Sequence, residues 1–250
     1  MPPGLALLLG LVSALEQRIW ARSGSQSQPC IWAVPGAVIP RDGSVSIFCR
    51  VPPGVTALRL YQLKPREMWY DREPEGVRDA EEFSLPKVML IDAGIYTCEY
   101  LKRGNWSRCS ESLELVVTGV IKDKPSLAAH PAAQVASGEN VTLQCQSLYS
   151  YDTYVLCRGG GASFPQDCSR QHHSSFLIPP VSLDQAGTYT CYGSHNHSPQ
   201  QWSLPSDPLQ LSVTTPDYTT ENIVRLSLGI LILFVLGAVL LDAWKGRSGL

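Results

Sequence analysis

No two of the eight cysteines in this chain stand as a Cys-x-x-Cys pair, so the usual spacing of a zinc site is absent. There is no basic stripe or patch either. Lys and Arg number 20 against 22 Asp and Glu, the formal net charge is −2 and the isoelectric point is about 6.2. Nucleic-acid binding is left without support. A catalytic constellation is also missing. His172-His173 and the His195/His197 pair fall in polar segments without nearby acidic or cysteine partners and read as solvated loop side chains, not metal ligands. Gly159-Gly160-Gly161 lacks the strand before and helix after that a phosphate loop needs. The sequence therefore points to no enzyme, metal or cofactor.

Charge is scarce altogether, at 17% of residues, because both ends of the chain are almost purely apolar. Leu5 to Ala14 is too short to span a bilayer, and Ala21 is a small residue before a plausible cleavage point, so 1–21 reads as a secretory signal peptide. Nothing amphipathic follows it, as a buried core helix would require. Ile223 to Leu241 is apolar apart from Arg225 and Ser227. At 1.5 Å per residue, about 19 residues cover the roughly 30 Å hydrocarbon core. Asp217 and Glu221 precede the run, while Trp244, Lys245 and Arg247 follow it. Basic residues after the span place the C-terminus in the cytoplasm and argue against a removable lipid-anchor signal. These segments predict a single-pass type I protein of the plasma membrane with its N-terminus outside the cell. In that oxidising setting, eight cysteines mean disulfides.

Between the ends, one unit occurs twice. Val45, Ile47 and Cys49 alternate with polar or outward positions, as do Val141, Leu143 and Cys145, which is the period of a half-buried strand. Asp92-Ala93-Gly94-Ile95-Tyr96-Thr97-Cys98 matches Asp184-Gln185-Ala186-Gly187-Thr188-Tyr189-Thr190-Cys191. A tyrosine two residues before the second cysteine is the corner signature of an immunoglobulin-like sandwich, its hydroxyl tied back to upstream backbone. Each unit closes on a Trp-Ser segment, at Trp106-Ser107 and Trp202-Ser203. A last strand follows, with Leu113, Leu115 and Val117 or Leu209, Leu211 and Val213 facing inward. The predicted fold is all-β: immunoglobulin-like domains over 22–118 and 119–214, a stalk over 215–222, a transmembrane helix over 223–243 and a tail over 244–250.

On this plan Cys49–Cys98 and Cys145–Cys191 clamp the two sheets of each domain, each closure contributing about 4 kcal/mol. No tryptophan occupies the strand after Cys49 or Cys145, where antibody domains carry one. Leu58 and Leu60 must fill that space in the first domain, and Val155 or Leu156 in the second. Cys157 and Cys168 flank a Gly-rich loop and read as a local staple. Cys30 and Cys109 open the first and last strands of domain one, so they either bridge each other or pair between molecules.

Several longer motifs narrow this further. Ile39-Pro40-Arg41-Asp42-Gly43-Ser44-Val45, Leu113-Glu114-Leu115-Val116-Val117-Thr118-Gly119, Ser137-Gly138-Glu139-Asn140-Val141-Thr142-Leu143, both Trp-Ser segments, Cys191-Tyr192-Gly193 and Asp217 through Arg225 cover most of the chain. Together they resemble the immunoglobulin-like receptors of the leukocyte receptor cluster. Within that family, members bind immunoglobulin Fc, MHC class I or collagen, and activating members pair an arginine at the place of Arg225 with the Fc receptor common γ chain. Cys109 stands where the family's first Trp-Ser motif has proline, and Cys30 is also unusual, which supports a bridge between them. The IgA-binding member uses an aromatic residue in the loop after the first cysteine, where this chain has Thr56. Its tyrosine two residues after the second cysteine is kept as Tyr100, but the neighbouring arginine is Leu101. Binding of IgA therefore does not transfer.

Sequons at Asn105, Asn140 and Asn196 predict glycosylation. Arg225 costs about 2.5–3.5 kcal/mol at a membrane centre and less near its edge, so it either snorkels to the headgroups or pairs with an acidic residue of another helix. No tyrosine follows Trp244, so phosphotyrosine signalling must come from a partner. Two readings result. In one, the chain is an activating immune receptor whose domain-one loops, Arg50 to Thr56 and Tyr100 to Asn105, hold a protein ligand through residues such as Thr56, Tyr100 and Arg103. Trp106 is read there as structural packing. In the other, it is a non-signalling adhesion or decoy receptor.

Overall fold

A computed structural model of the chain describes residues 27–64, 68–74, 79–161, 163–215 and 219–247; the segment read as a signal peptide lies outside them. Segments of period-two hydrophobicity form strands throughout. The first unit contains β1 (Cys30–Val34), β2 (Val38–Pro40), β3 (Val45–Arg50), β4 (Ala57–Lys64), β5 (Met68–Arg72), β6 (Ala80–Leu85), β7 (Gly94–Lys102), β8 (Asn105–Trp106) and β9 (Leu113–Ile121). The second contains β10 (Ser126–His130), β11 (Gln134–Ala136), β12 (Val141–Gln146), β13 (Thr153–Arg158), β14 (Cys168–Gln171), β15 (Ser175–Ile178), β16 (Gly187–His195), β17 (Ser198–Ser203) and β18 (Leu209–Thr214).

Each unit is a two-sheet sandwich. A three-stranded sheet, β1-β3-β6 or β10-β12-β15, faces a second sheet centred on β4-β7-β9 or on β13-β16-β18. Val45, Ile47 and Cys49 turn inward from β3, and Val141, Leu143 and Cys145 from β12, because alternate side chains leave opposite faces of a strand. Cys49–Cys98 and Cys145–Cys191 join the sheets with Cα separations of 6.5 and 6.1 Å. Leu58 and Leu60 fill the first core beside Cys98. In the second, Leu156 takes this place opposite Cys191, while Val155 faces outward. Both corner tyrosines close as the motif implied: Tyr96 Oη donates to the Asp92 carbonyl and Tyr189 Oη to the Gln185 carbonyl, each at 2.7 Å. Cys157 and Cys168 are direct cross-strand neighbours of β13 and β14, so their bond ties two adjacent strands of one sheet.

The Trp-Ser segments do the same work in both units. Backbone N–H groups of Tyr100 and Cys98 donate to the hydroxyls of Ser107 and Ser110, and those of Gly193 and Cys191 to Ser203 and Ser206. The serines satisfy buried strand donors that would otherwise lose their partners where the last strand has not yet joined the sheet.

Cys30 and Cys109 correct the sequence expectation: they do not bond each other, and both are exposed thiols. The reason is a change of sheet. Cys30 lies on β1, which pairs with β3, and only after Pro35 does the chain cross to β2, which pairs with β9. Cys109 stays on the other sheet's side, its thiol 4.0 Å from Glu99 Oε2 on β7.

The boundary expected at 118/119 is crossed by a continuous strand, since β9 runs to Ile121 and pairs in parallel with β17. Val116 and Ala37 of the first unit cluster with Val155, Phe164, Tyr192 and Trp202 of the second. Around this apolar joint, Glu114 Oε1 accepts from Arg170 at 2.8 Å and from Gln200 at 3.0 Å. An apolar, paired joint opposes the free motion otherwise expected between domains. Beyond it, α1 (Thr219–Arg247) begins within the expected stalk and runs past the expected span, with 222–241 its membrane-length apolar stretch.

One glycine of the Cys-Tyr-Gly motif has a steric explanation. A Cβ on Gly193 would stand 2.1 Å from the ring of Tyr151, whose hydroxyl donates to Asp123 at 2.7 Å. Gly193→Ala should therefore expel Tyr151 and destabilise the second domain by about 1–3 kcal/mol, the range for overpacking. Chemical denaturation of the ectodomain measures this, and an unchanged midpoint would contradict the tight stacking.

Candidate functional site

Two places in the molecule carry groups that a buried scaffold does not need. The first is the end of the first sandwich away from the joint, together with the adjoining outer face of β4 and β7. The second is Arg225.

At the sandwich end, the β3–β4 loop and the β7–β8 hairpin are knitted together. Thr56 donates to the Leu101 carbonyl through its backbone at 2.8 Å and its hydroxyl at 3.1 Å, and Lys102 Nζ reaches the Pro53 carbonyl at 2.7 Å. Thr56 and Arg103 are both exposed, and Arg103 occupies the left-handed region with φ 55° at the hairpin tip. A non-glycine residue there is uncommon. Tyr100 does not belong to this surface. It is 1% exposed, packs in the core and donates to the Ser27 carbonyl at 2.6 Å. Its expected role in ligand contact is thus corrected: Leu58, its cross-strand partner, faces inward, so Tyr100 does too. Asn105 sits two residues from Arg103 and is exposed, as are Asn140 and Asn196.

Beside the hairpin lies a cluster that sequence reasoning missed. The guanidinium of Arg59 forms a two-pronged pair with Asp71, at 2.5 and 2.8 Å, and lies 4.6 Å from the ring centroid of Trp106. Tyr61 Oη donates to Glu99 at 2.8 Å. Arg59 holds the Asp71 carboxyl below its usual range and is itself raised by that hydrogen bond. Trp106, read as structural packing, is 39% exposed. The alternation of β4 was the available clue: Leu58, Leu60 and Gln62 point inward, which sends Arg59 and Tyr61 outward. An arginine-aromatic face of this kind offers large contact area with little side-chain entropy to lose.

In the second unit, the histidines do have an acidic neighbour, contrary to expectation. His195 Nδ1 is 3.3 Å from Asp152 Oδ2 and His197 stacks on His195. The Asn196 N–H and His195 hold the Asp152 carboxyl below its usual range. Among the described residues no group of three His, Cys, Asp or Glu side chains could hold a metal.

Arg225 lies near the start of the apolar stretch and is its only charged residue. None of that stretch is buried against the rest of the described chain. Ser227 spends its hydroxyl on its own helix, donating to the Val224 carbonyl at 2.9 Å, so it adds no unsatisfied polar group.

Comparison with known proteins places this arrangement. The immunoglobulin domain profile matches residues 131–204. Human immunoglobulin alpha Fc receptor is 37% identical over 263 residues, which takes in 100% of this chain and 89% of that protein. Mouse platelet glycoprotein VI is 39% identical over 207 residues, or 83% of this chain and 63% of its own length. Human leukocyte immunoglobulin-like receptor subfamily B member 4 is 36% identical over 222 residues, or 86% and 49%. The chain thus spans most of the first relative, 63% of the second and about half of the third. With two linked immunoglobulin-like sandwiches, an apolar C-terminal helix and these relatives, the chain belongs to the leukocyte immunoglobulin-like receptor family of immune cell-surface receptors.

Proposed function

We propose that this receptor is an activating one, binding a protein ligand through its first immunoglobulin-like domain and signalling through an adaptor paired at Arg225. The observation that carries the proposal is Arg225, the single charge in the otherwise uncharged membrane-length stretch 222–241 of α1. An arginine in hydrocarbon gains most when a carboxylate replaces its lost water. The Fc receptor common γ chain, or another acidic-helix adaptor, has the matching chemistry. Lys245 and Arg247 after the span support a type I orientation. The ligand class is immunoglobulin Fc, MHC class I or a similar protein, held by Arg103 and Thr56 at the sandwich end and by the Arg59, Tyr61 and Trp106 face beside them.

Co-precipitation in mild detergent of the full chain with tagged common γ chain tests the signalling half, with calcium flux after antibody cross-linking. Recovery of the adaptor and a flux dependent on it are expected. Absence of both would put the non-signalling adhesion or decoy reading in front. For the ligand half, soluble ectodomain is screened against immunoglobulin Fc, MHC class I and collagen. Arg103→Ala and Trp106→Ala are each expected to weaken the binding found by about tenfold. Binding that survived both and was abolished by substitutions in the second domain would move the surface.

A further inference from the structure

We propose that the outer face of β1, β3 and β6 is a docking surface for a second copy of this chain, with Cys30 linking the two covalently. Ile31 and Ala33 pack toward the core, so Cys30, Trp32 and Val34 point away from it. Their cross-strand neighbours are Arg50, Phe48 and Ser46. Trp32 and Phe48 stack at 5.5 Å with 12° between their planes, and the Arg50 guanidinium lies 5.3 Å from the Trp32 ring centroid. Val34 is 48% exposed. The solvent side of an antiparallel sheet is ordinarily polar, whereas the middle of this one is a half-buried aromatic pair set among polar residues.

The second unit supplies an internal control. The same register there pairs Ser126 with Gln146, Ala128 with Gln144 and His130 with Thr142. The fold is therefore built equally well with small and polar residues at these positions, and the aromatic pair of the first unit answers to something other than folding. All three sequons lie elsewhere: Asn105 is on the opposite sheet, and Asn140 and Asn196 are in the second unit. The face is accordingly free of predicted glycan.

A second copy fits because the face is complementary to itself. Exposed Arg50 and exposed Glu82, which lies opposite Phe48 on β6, flank the aromatic pair with opposite charges. Under a two-fold axis each Arg50 can meet the partner's acidic side, as an isologous interface requires. A residue near such an axis meets its own copy, so a single exposed thiol suffices for a link. The two Cys30 thiols exchange with an oxidised protein disulfide of the secretory pathway. One thiolate attacks to give a mixed disulfide, the second displaces it, and the oxidant leaves as two thiols.

The test is a non-reducing gel of the full chain from mammalian cell surfaces, alkylated before lysis. A species of twice the monomer mass is expected, collapsing on reduction, lost in Cys30→Ser and kept in Cys109→Ser. Trp32→Ala, Phe48→Gln and Arg50→Gln together copy the second unit's face, so the fold should survive, as equal surface expression will show. The linked fraction should fall at least about tenfold, the scale of losing a central aromatic anchor. A monomer yielding a Cys30–Cys109 peptide, a monomer with Cys30 alkylated as a free thiol, or a mixed disulfide with a different protein would each overturn the proposal. So would a linked dimer indifferent to the triple substitution.

Discussion

The full chain carrying Arg225→Leu should recover less than about a tenth of the adaptor that the wild-type chain recovers, a factor matching more than about 1.4 kcal/mol of assembly energy and within the ceiling of about 2.5–3.5 kcal/mol that a charge costs at the membrane centre. Leucine removes both the cost of desolvating the charge and the charge-assisted hydrogen bonds that offset it, leaving ordinary helix packing. Arg225→Lys should retain an intermediate recovery. Lysine keeps the charge but not the planar fork that engages two carboxylate oxygens together. Depth gives a further discriminator. Gly229 stands one turn further along the same helix face, about 6 Å deeper, so Arg225→Leu combined with Gly229→Arg restores the charge at the wrong level. It should recover less adaptor than Arg225→Lys. Ligand binding by the ectodomain should be unchanged in all three, because none of the apolar stretch of α1 is buried within the described chain. Equal recovery for wild type and Arg225→Leu would leave snorkelling to the headgroups as the role of this side chain.

Trp202→Ala should destabilise the ectodomain by about 3–5 kcal/mol, the range for truncating a fully buried large aromatic. Trp202 is 0% exposed and packs against Phe164 at 5.6 Å and Tyr192 at 5.1 Å between ring centroids. Its indole N–H donates to the Pro199 carbonyl at 2.9 Å, and the Arg170 guanidinium lies 5.5 Å from its ring. Truncation therefore empties the middle of the joint, strands a carbonyl and removes the surface that positions Arg170 for Glu114. Loss of stability should come with loosening between the domains, visible as a broader distribution of shapes in small-angle scattering. Trp106→Ala is the matched control. That ring occupies the same place in the first repeat but is 39% exposed, so its removal should shift stability by no more than about 0.5 kcal/mol, as for other surface changes. Equal losses for the two would mean that the joint contributes nothing beyond what each sandwich has alone.

Much of this molecule was legible before any coordinates. Val45-Ile47-Cys49 and Val141-Leu143-Cys145 declared their inward faces because a strand has a period of two. Tyr96 and Tyr189 declared the corner because their hydroxyls need a backbone partner within a few residues. The apolar run ending the chain declared a membrane helix from length and composition alone. Each of these depends on neighbours close in sequence or on one strong pairing. What alternation leaves open is which of a strand's two faces a more distant element covers. Either Val155 or Leu156 could have filled the second core; the register opposite Cys191 chose Leu156 and sent Val155 into the joint. Tyr100 looked like a surface residue from its place beside a loop, until its strand neighbours turned it inward. Cys30 and Cys109 looked like a pair until the first strand proved to change sheets between β1 and β2. Trp106 and Trp202 begin the same motif and meet opposite fates: the second is roofed by Val116 and Ala37 of the preceding domain, and the first stays 39% exposed. Local sequence determined the strands, their faces and the membrane helix. Only the packing of one sandwich on the other decided which identical side chains became core and which became surface, because burial depends on what arrives from far along the chain.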